Sequence, residues 1–111
     1  MIHAMHLQQA PFDAIAAGKK TVELRLYDEK RSQIQPGDKI CFTSPAGELL
    51  TACVVALHRF ADFPALFAAM DSRLLGYGDG ETADPHDMDQ YYPPEKQARY
   101  GVVGIEIQLL P

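Results

Sequence analysis

The stretch Gly18-Lys19-Lys20-Thr21-Val22-Glu23-Leu24-Arg25-Leu26 decides how the rest of the chain is read. Val22, Leu24 and Leu26 alternate with Glu23 and Arg25, the period-two pattern of a half-buried strand. On this pattern the apolar side packs inward and the charged side looks out. Gly18 is a natural stop for a helix in front of the strand, and Lys20 falls just beyond that stop, so its amine can lean over the strand end. Glu23 beside two cations should stay ionised, while the cations remain available to a phosphate or a carbonyl oxygen. Plain surface decoration, or a face for a protein partner, accounts for such charges as well at this level.

Working outward from this strand, Ile2 to Leu7 alternates as a first strand, and Pro11, Phe12 and Ile15 mark a short helix that ends at Gly18. On the other side, the turn Pro36-Gly37-Asp38 precedes a strand at Lys39 to Thr43, and Pro45-Ala46-Gly47 precedes a second at Leu49 to Arg59. Asp62 can cap a helix whose Phe63, Leu66, Phe67 and Met70 share one face. Gly76 to Gln90 reads as a long, acidic surface loop. Pro93 and Pro94 start a further helix through Glu95, Lys96 and Arg99, and Gly101 stops it. In the last strand, Val102 to Leu109, the residues Val103, Ile105, Ile107 and Leu109 line one face. The expected fold class is α+β, a mostly antiparallel sheet that could close into a barrel, flanked by short helices.

At 111 residues, 47% of them hydrophobic, the chain has material for one core and not for two, so residues 1–111 are expected to form a single domain. No apolar run approaches the roughly 20 residues of a membrane span, and the N-terminus lacks a signal-like pattern; a cytoplasmic protein is the expectation. The formal charge of -5 argues against a broad basic surface that coats nucleic acid. The charge is unevenly spread. Lys19, Lys20, Arg25, Lys30, Arg31 and Lys39 slightly outweigh the acids of residues 1–42, and the remainder of the chain is strongly acidic. That distribution is compatible with a local site for an anionic or polar ligand. Cys41 and Cys53 lie in apolar strand-like runs without a Cys-x-x-Cys pair and are expected as buried thiols.

Gly18, Lys20, Glu23 and Arg25 reproduce in order and spacing the Gly-x-Lys-x-x-Glu-x-Arg signature of the ASCH domains, relatives of the RNA-binding PUA fold. The resemblance extends through His3, Met5 and Leu7, Pro11 and Phe12, Leu26 to Arg31, the Pro36-Gly37-Asp38 turn, Leu75 to Gly78, Tyr91, Tyr92, and Tyr100 to Val102. It implies a PUA-like β-barrel of five or six strands, with the signature residues lining a cleft at one end. It also implies a ligand that is RNA or a nucleotide-like molecule. One branch of the family is an N4-acetylcytidine amidohydrolase that uses a lysine, a threonine nucleophile and a glutamate. Lys20 matches that lysine, but Glu23 stands at the threonine's place, and Thr21 lies two positions earlier. The branch's glutamate precedes the last helix, where this chain offers Glu81, Asp84, Asp87 and Asp89. A hydrolase acting on an acylated nucleoside or on RNA is therefore the alternative to binding, with Lys20 and Glu23 as its catalytic residues.

The expected ligand-binding residues are Lys20, Glu23, Arg25, Arg31 and Tyr92. Tyr91 or Tyr92 could stack a base, and Lys30 and Arg31 either pair with Asp28 and Glu29 or form a basic rim. His3 and His6, three apart on a strand, point to opposite faces, His58 and His86 lack partners at ligand spacing, and the acidic loop lacks the pattern of a common calcium site. No metal and no cofactor are expected.

Overall fold

A computed structural model describes residues 1–111 as five strands and three α-helices: β1 (Ile2–His6), α1 (Gln9–Ala16), β2 (Val22–Leu26), β3 (Lys39–Thr43), β4 (Leu49–Phe60), α2 (Phe63–Ala69), α3 (Pro94–Tyr100) and β5 (Val102–Leu109). Short 3-10 turns occupy Arg31–Gln33 and Pro85–Gln90. All five strands form one sheet in the order β1-β3-β4-β5-β2. β1 runs parallel to β3, and the other three pairings are antiparallel. The sheet curls into a half-barrel. Its edge strands, β1 and β2, are not paired with each other; a side-chain bond from Arg25 to the His6 carbonyl spans the gap instead.

The elements follow from local chemistry. Asp62 caps α2, its carboxylate accepting the Ala65 N–H at 2.9 Å, a contact that contributes about 1 kcal/mol. Gly101, at φ 71°, turns the chain from α3 into β5 in a conformation that L side chains rarely adopt. β4 is one 12-residue strand that bends at a bulge between Val54 and Ala56, letting a single strand serve two parts of the curl.

Two apolar clusters lie on opposite faces of the sheet where β5 and β2 pair. Met5, Phe12, Ile15, Ile40, Phe42, Val54, Val103, Ile105 and Ile107 fill the inside of the curl. Val22, Leu24, Leu26, Phe63, Leu66, Leu75 and Val102 form the second cluster, beneath α2. Both faces of β5 are therefore buried, and Val102 and Val103 are both fully covered.

This arrangement reverses the expected orientation of β2. Cross-strand partners share a face, and Glu23 pairs with Ile105 while Arg25 pairs with Val103, both members of the inner cluster. The charged side of β2 thus faces the inside of the half-barrel. Its apolar side is covered by α2, which burial patterning within one strand cannot distinguish from a core.

Two further expectations change. Cys41 and Cys53 are half-buried free thiols rather than core residues, because Ile40, Phe42, Ala52 and Val54 take the inward phase of β3 and β4. The segment from Gly76 to Gln90 is not plain surface loop: it carries the second 3-10 turn and walls the cleft described below.

Candidate functional site

The site is built at the junction of α1 and β2. Gly18, at φ 76°, ends the helix, and the N–H groups of Lys19 and Lys20 both donate to the Ala14 carbonyl, at 2.9 and 3.1 Å. The N–H groups of Thr21 and Val22 then both donate to the Leu74 carbonyl at 3.0 Å. The backbone around Lys20 is consequently tied on both sides. Lys20 Nζ reaches Glu23 Oε1 at 3.0 Å.

Glu23 is the hub. Its side chain is 4% exposed, yet every lone-pair direction is used: Oε1 also accepts the Leu24 N–H at 3.0 Å, and Oε2 accepts Arg25 Nε at 3.1 Å and lies 2.9 Å from Arg25 Nη2. Burial pushes the carboxyl up, but Lys20, Arg25 and the Leu24 N–H outweigh it and hold Glu23 below its ordinary value. Burial likewise disfavours the Arg25 charge, and Glu23 more than restores it. The group is an ionic triad of one carboxylate, saturated at both oxygens, and two cations that keep further N–H groups.

Gly76 makes room for it. A Cβ there would stand 3.3 Å from Lys20 Cδ and 3.4 Å from Lys20 Cβ, and the backbone at φ 102° is left-handed, so the loop lies directly on the lysine stem.

A cleft of about 1080 Å³ opens over the triad, between the end of β1, the turn at Thr43–Pro45 and the segment that runs from Leu75 to Tyr92. Lys20, Glu23, Arg25 and Tyr92 line it together. The Tyr92 ring stacks on Phe63 at 5.9 Å between centroids, and burial raises its hydroxyl pKa, with Arg25 pulling the other way. Tyr91 also lines the cleft but is 54% exposed. Arg31 does not line it. That side chain pairs with Asp28 at 3.3 Å, and its charge pulls the Tyr92 hydroxyl pKa down against burial.

Of the four acids before the last helix, Glu81 and Asp87 reach the cleft, while Asp84 and Asp89 do not. Asp84 accepts the His86 N–H, and Asp89 accepts from Gln97. Thr21 lies outside the cleft, in a smaller depression that it shares with Ile15, Ile107 and the other side of Lys20. The histidines are dispersed: His3 Nε2 lies 2.8 Å from Asp38, His58 lies 3.0 Å from Glu106 and His86 lies 3.3 Å from Asp89. No three His, Cys, Asp or Glu side chains converge as a metal site would require.

Gln97 was not legible as a site residue. It is 3% exposed, accepts the Phe63 N–H at 3.3 Å, and donates to the Tyr92 carbonyl at 2.8 Å and to Asp89 at 3.0 Å. It therefore ties α3 to α2 and fixes the backbone of Tyr92. An isolated Gln on a short polar helix carries no pattern that would reveal this.

The family model of the ASCH domain matches residues 5–111. The chain belongs to the ASCH domain family. In structure this ASCH domain is similar to the hypothetical protein PH0355, at 33% identity and a TM-score of 0.85, covering 99% of this chain and 100% of that one. It is also similar to protein PF0455 from Pyrococcus furiosus, at 32% identity and a TM-score of 0.75, covering 99% of this chain and 98% of that one. ASCH from Zymomonas mobilis shares the fold, with a TM-score of 0.69 at 16% identity, over 96% of this chain and 66% of the other. No curated protein matches the chain significantly. The PUA-like fold expected from the signature is thus the fold of this ASCH domain. No helix is long and apolar enough to cross a membrane.

Proposed function

We propose that this ASCH domain binds a nucleotide-like unit, free or as part of RNA, in the cleft over Lys20, Glu23 and Arg25. The observation that carries the reading is the burial of an ionised triad at the floor of a concave, partly apolar site, where a few convergent polar groups orient a ligand. Lys20 and Arg25 supply N–H donors, Glu23 holds both cations in place, and Tyr92 offers a ring edge or face to a base. Arg31 acts as a secondary residue by supporting Tyr92. The setting is the cytoplasm, where free thiols such as Cys41 and Cys53 stay reduced.

Binding is favoured over hydrolysis by the state of Glu23. A carboxylate held below its ordinary pKa, with both oxygens engaged, is a poor general base.

Titration with short single-stranded RNA and with nucleosides tests the reading. Lys20→Met and Arg25→Gln, each checked for folding by circular dichroism, should weaken binding about tenfold or more, the loss of a charge-assisted hydrogen bond. Affinity unchanged in both folded variants would show that the cleft is not the site.

A further inference from the structure

The segment that follows Gly76 gives the cleft a lining of opposite character. Glu81 and Asp87 line it together with Tyr77 and Tyr91. Glu81 Oε1 accepts the Gly78 N–H at 2.8 Å, and Asp87 Oδ2 accepts the Tyr77 hydroxyl at 2.9 Å. Neither carboxylate has a cationic partner, and residues 74–95 contain no Lys or Arg to supply one. Their field is felt locally. Burial first, then Asp87, Asp84 and Glu81, push the Tyr77 hydroxyl up to about 12.

The lining therefore holds two cations, Lys20 and Arg25, against three carboxylates, Glu23, Glu81 and Asp87. Both cations share one carboxylate, Glu23, at 3.0 and 2.9 Å, which leaves the triad a single net positive charge, and Arg25 Nη2 is further committed to the His6 carbonyl at 2.8 Å. A phosphate entering the cleft would find the one net positive charge of the triad outweighed by the two uncompensated carboxylates, Glu81 and Asp87. An uncharged heterocycle meets no such opposition. Its carbonyl oxygens can accept from the remaining N–H groups of Lys20 and Arg25, and its amino groups can donate toward Glu81 and Asp87.

We infer that the cleft admits the base and ribose of its ligand and turns phosphate away, with Glu81 and Asp87 setting that preference. The inference rests on the nucleotide-like reading above and narrows it. RNA would enter only as a terminal or flipped-out nucleoside, with its phosphates left outside the cleft.

The test is calorimetric titration of the full chain at pH 7 with the four ribonucleosides and their 5′-monophosphates, which carry nearly two negative charges at that pH. The wild-type protein should bind at least one nucleoside about tenfold more tightly than its monophosphate. In the Glu81→Gln/Asp87→Asn double variant, which retains both hydrogen-bond acceptors, that ratio should fall about tenfold, and added salt should narrow it in the wild type. A monophosphate bound as tightly as its nucleoside by the wild type, or a ratio unmoved by the double variant, overturns the inference. If both ligands bind equally and Lys20→Met weakens both, the inference falls while the binding reading stands. If neither ligand binds, nor any short RNA, both fall together.

Discussion

Arg25 Nη2 donates to the His6 carbonyl at 2.8 Å, so a side chain on one edge strand of the sheet is bonded to the backbone of the other edge strand. The half-barrel is joined across its opening by one guanidinium, which Glu23 holds in place from below. Fold and site share this residue.

Arg25→Ala should therefore destabilise the protein by roughly 2–3 kcal/mol, because it removes one of the two cations on a buried carboxylate, leaves Glu23 Oε2 without its donors and opens the bridge. Arg25→Lys keeps the charge but lacks the planar fork that serves two acceptors, and should lose roughly 1–2 kcal/mol. Urea denaturation measures both. Amide exchange should accelerate first at β1 and β2, and a uniform increase over the whole sheet would show that the bridge is not what holds the edges.

Glu23 predicts a pH dependence of stability. Its folded-state pKa lies below the unfolded value of about 4.5, so the stabilisation it brings is complete above that range and is lost as pH falls through the folded value. Glu23→Gln leaves Lys20 and Arg25 without a counter-charge and should cost roughly 3 kcal/mol at pH 7. The gap in melting temperature between wild type and variant should be constant from pH 7 to about pH 5 and shrink below pH 4.5. A gap that persists unchanged at pH 3 would contradict the ionised triad.

Gly76→Ala should act at a distance of one side chain. The added methyl meets the Lys20 stem at 3.3 Å, and its backbone must hold φ near 102°. We expect a stability loss of about 1–3 kcal/mol. The Lys20 side-chain resonances should shift in the NMR spectrum, whereas those of Lys39, on β3 at the far side of the sheet, should stay in place.

Gln97→Leu should cost about 1–3 kcal/mol by leaving the buried Phe63 N–H without its acceptor. It also frees the Tyr92 carbonyl and Asp89. If the Tyr92 ring is held by this tie, tyrosine fluorescence anisotropy should fall in the variant. No change would assign the ring's position to its stacking on Phe63 alone.

Much of the chain declares its structure locally. The alternation of β2 and β5, the Asp62 cap, and the glycine stops at Gly18 and Gly101 each express an interaction between residues at most a few positions apart. Short-range sterics and hydrogen bonding suffice to read them. Cys41 shows where this reasoning ends. Its neighbours Ile40 and Phe42 are both core residues, so composition places it inside, and only the phase of the strand in the assembled sheet puts it on the other face.

The same limit governs the site. Gly18, Lys20, Glu23 and Arg25 identify the family and the strand from the sequence by itself, because they lie within eight residues and their spacing survives as a pattern. Which way Glu23 and Arg25 face was decided by tertiary structure, since α2 covers the apolar side of β2 and leaves the charged side for the inside of the curl. The contacts that make a cleft of them join residues far apart in the chain: His6 to Arg25, Gly76 to Lys20, and Phe63 to Gln97, the residue that fixes the Tyr92 backbone. Such contacts exist only once the sheet has curled. Burial energy acts on whole faces, and a sequence read one strand at a time shows that a face is charged without showing what will close over it.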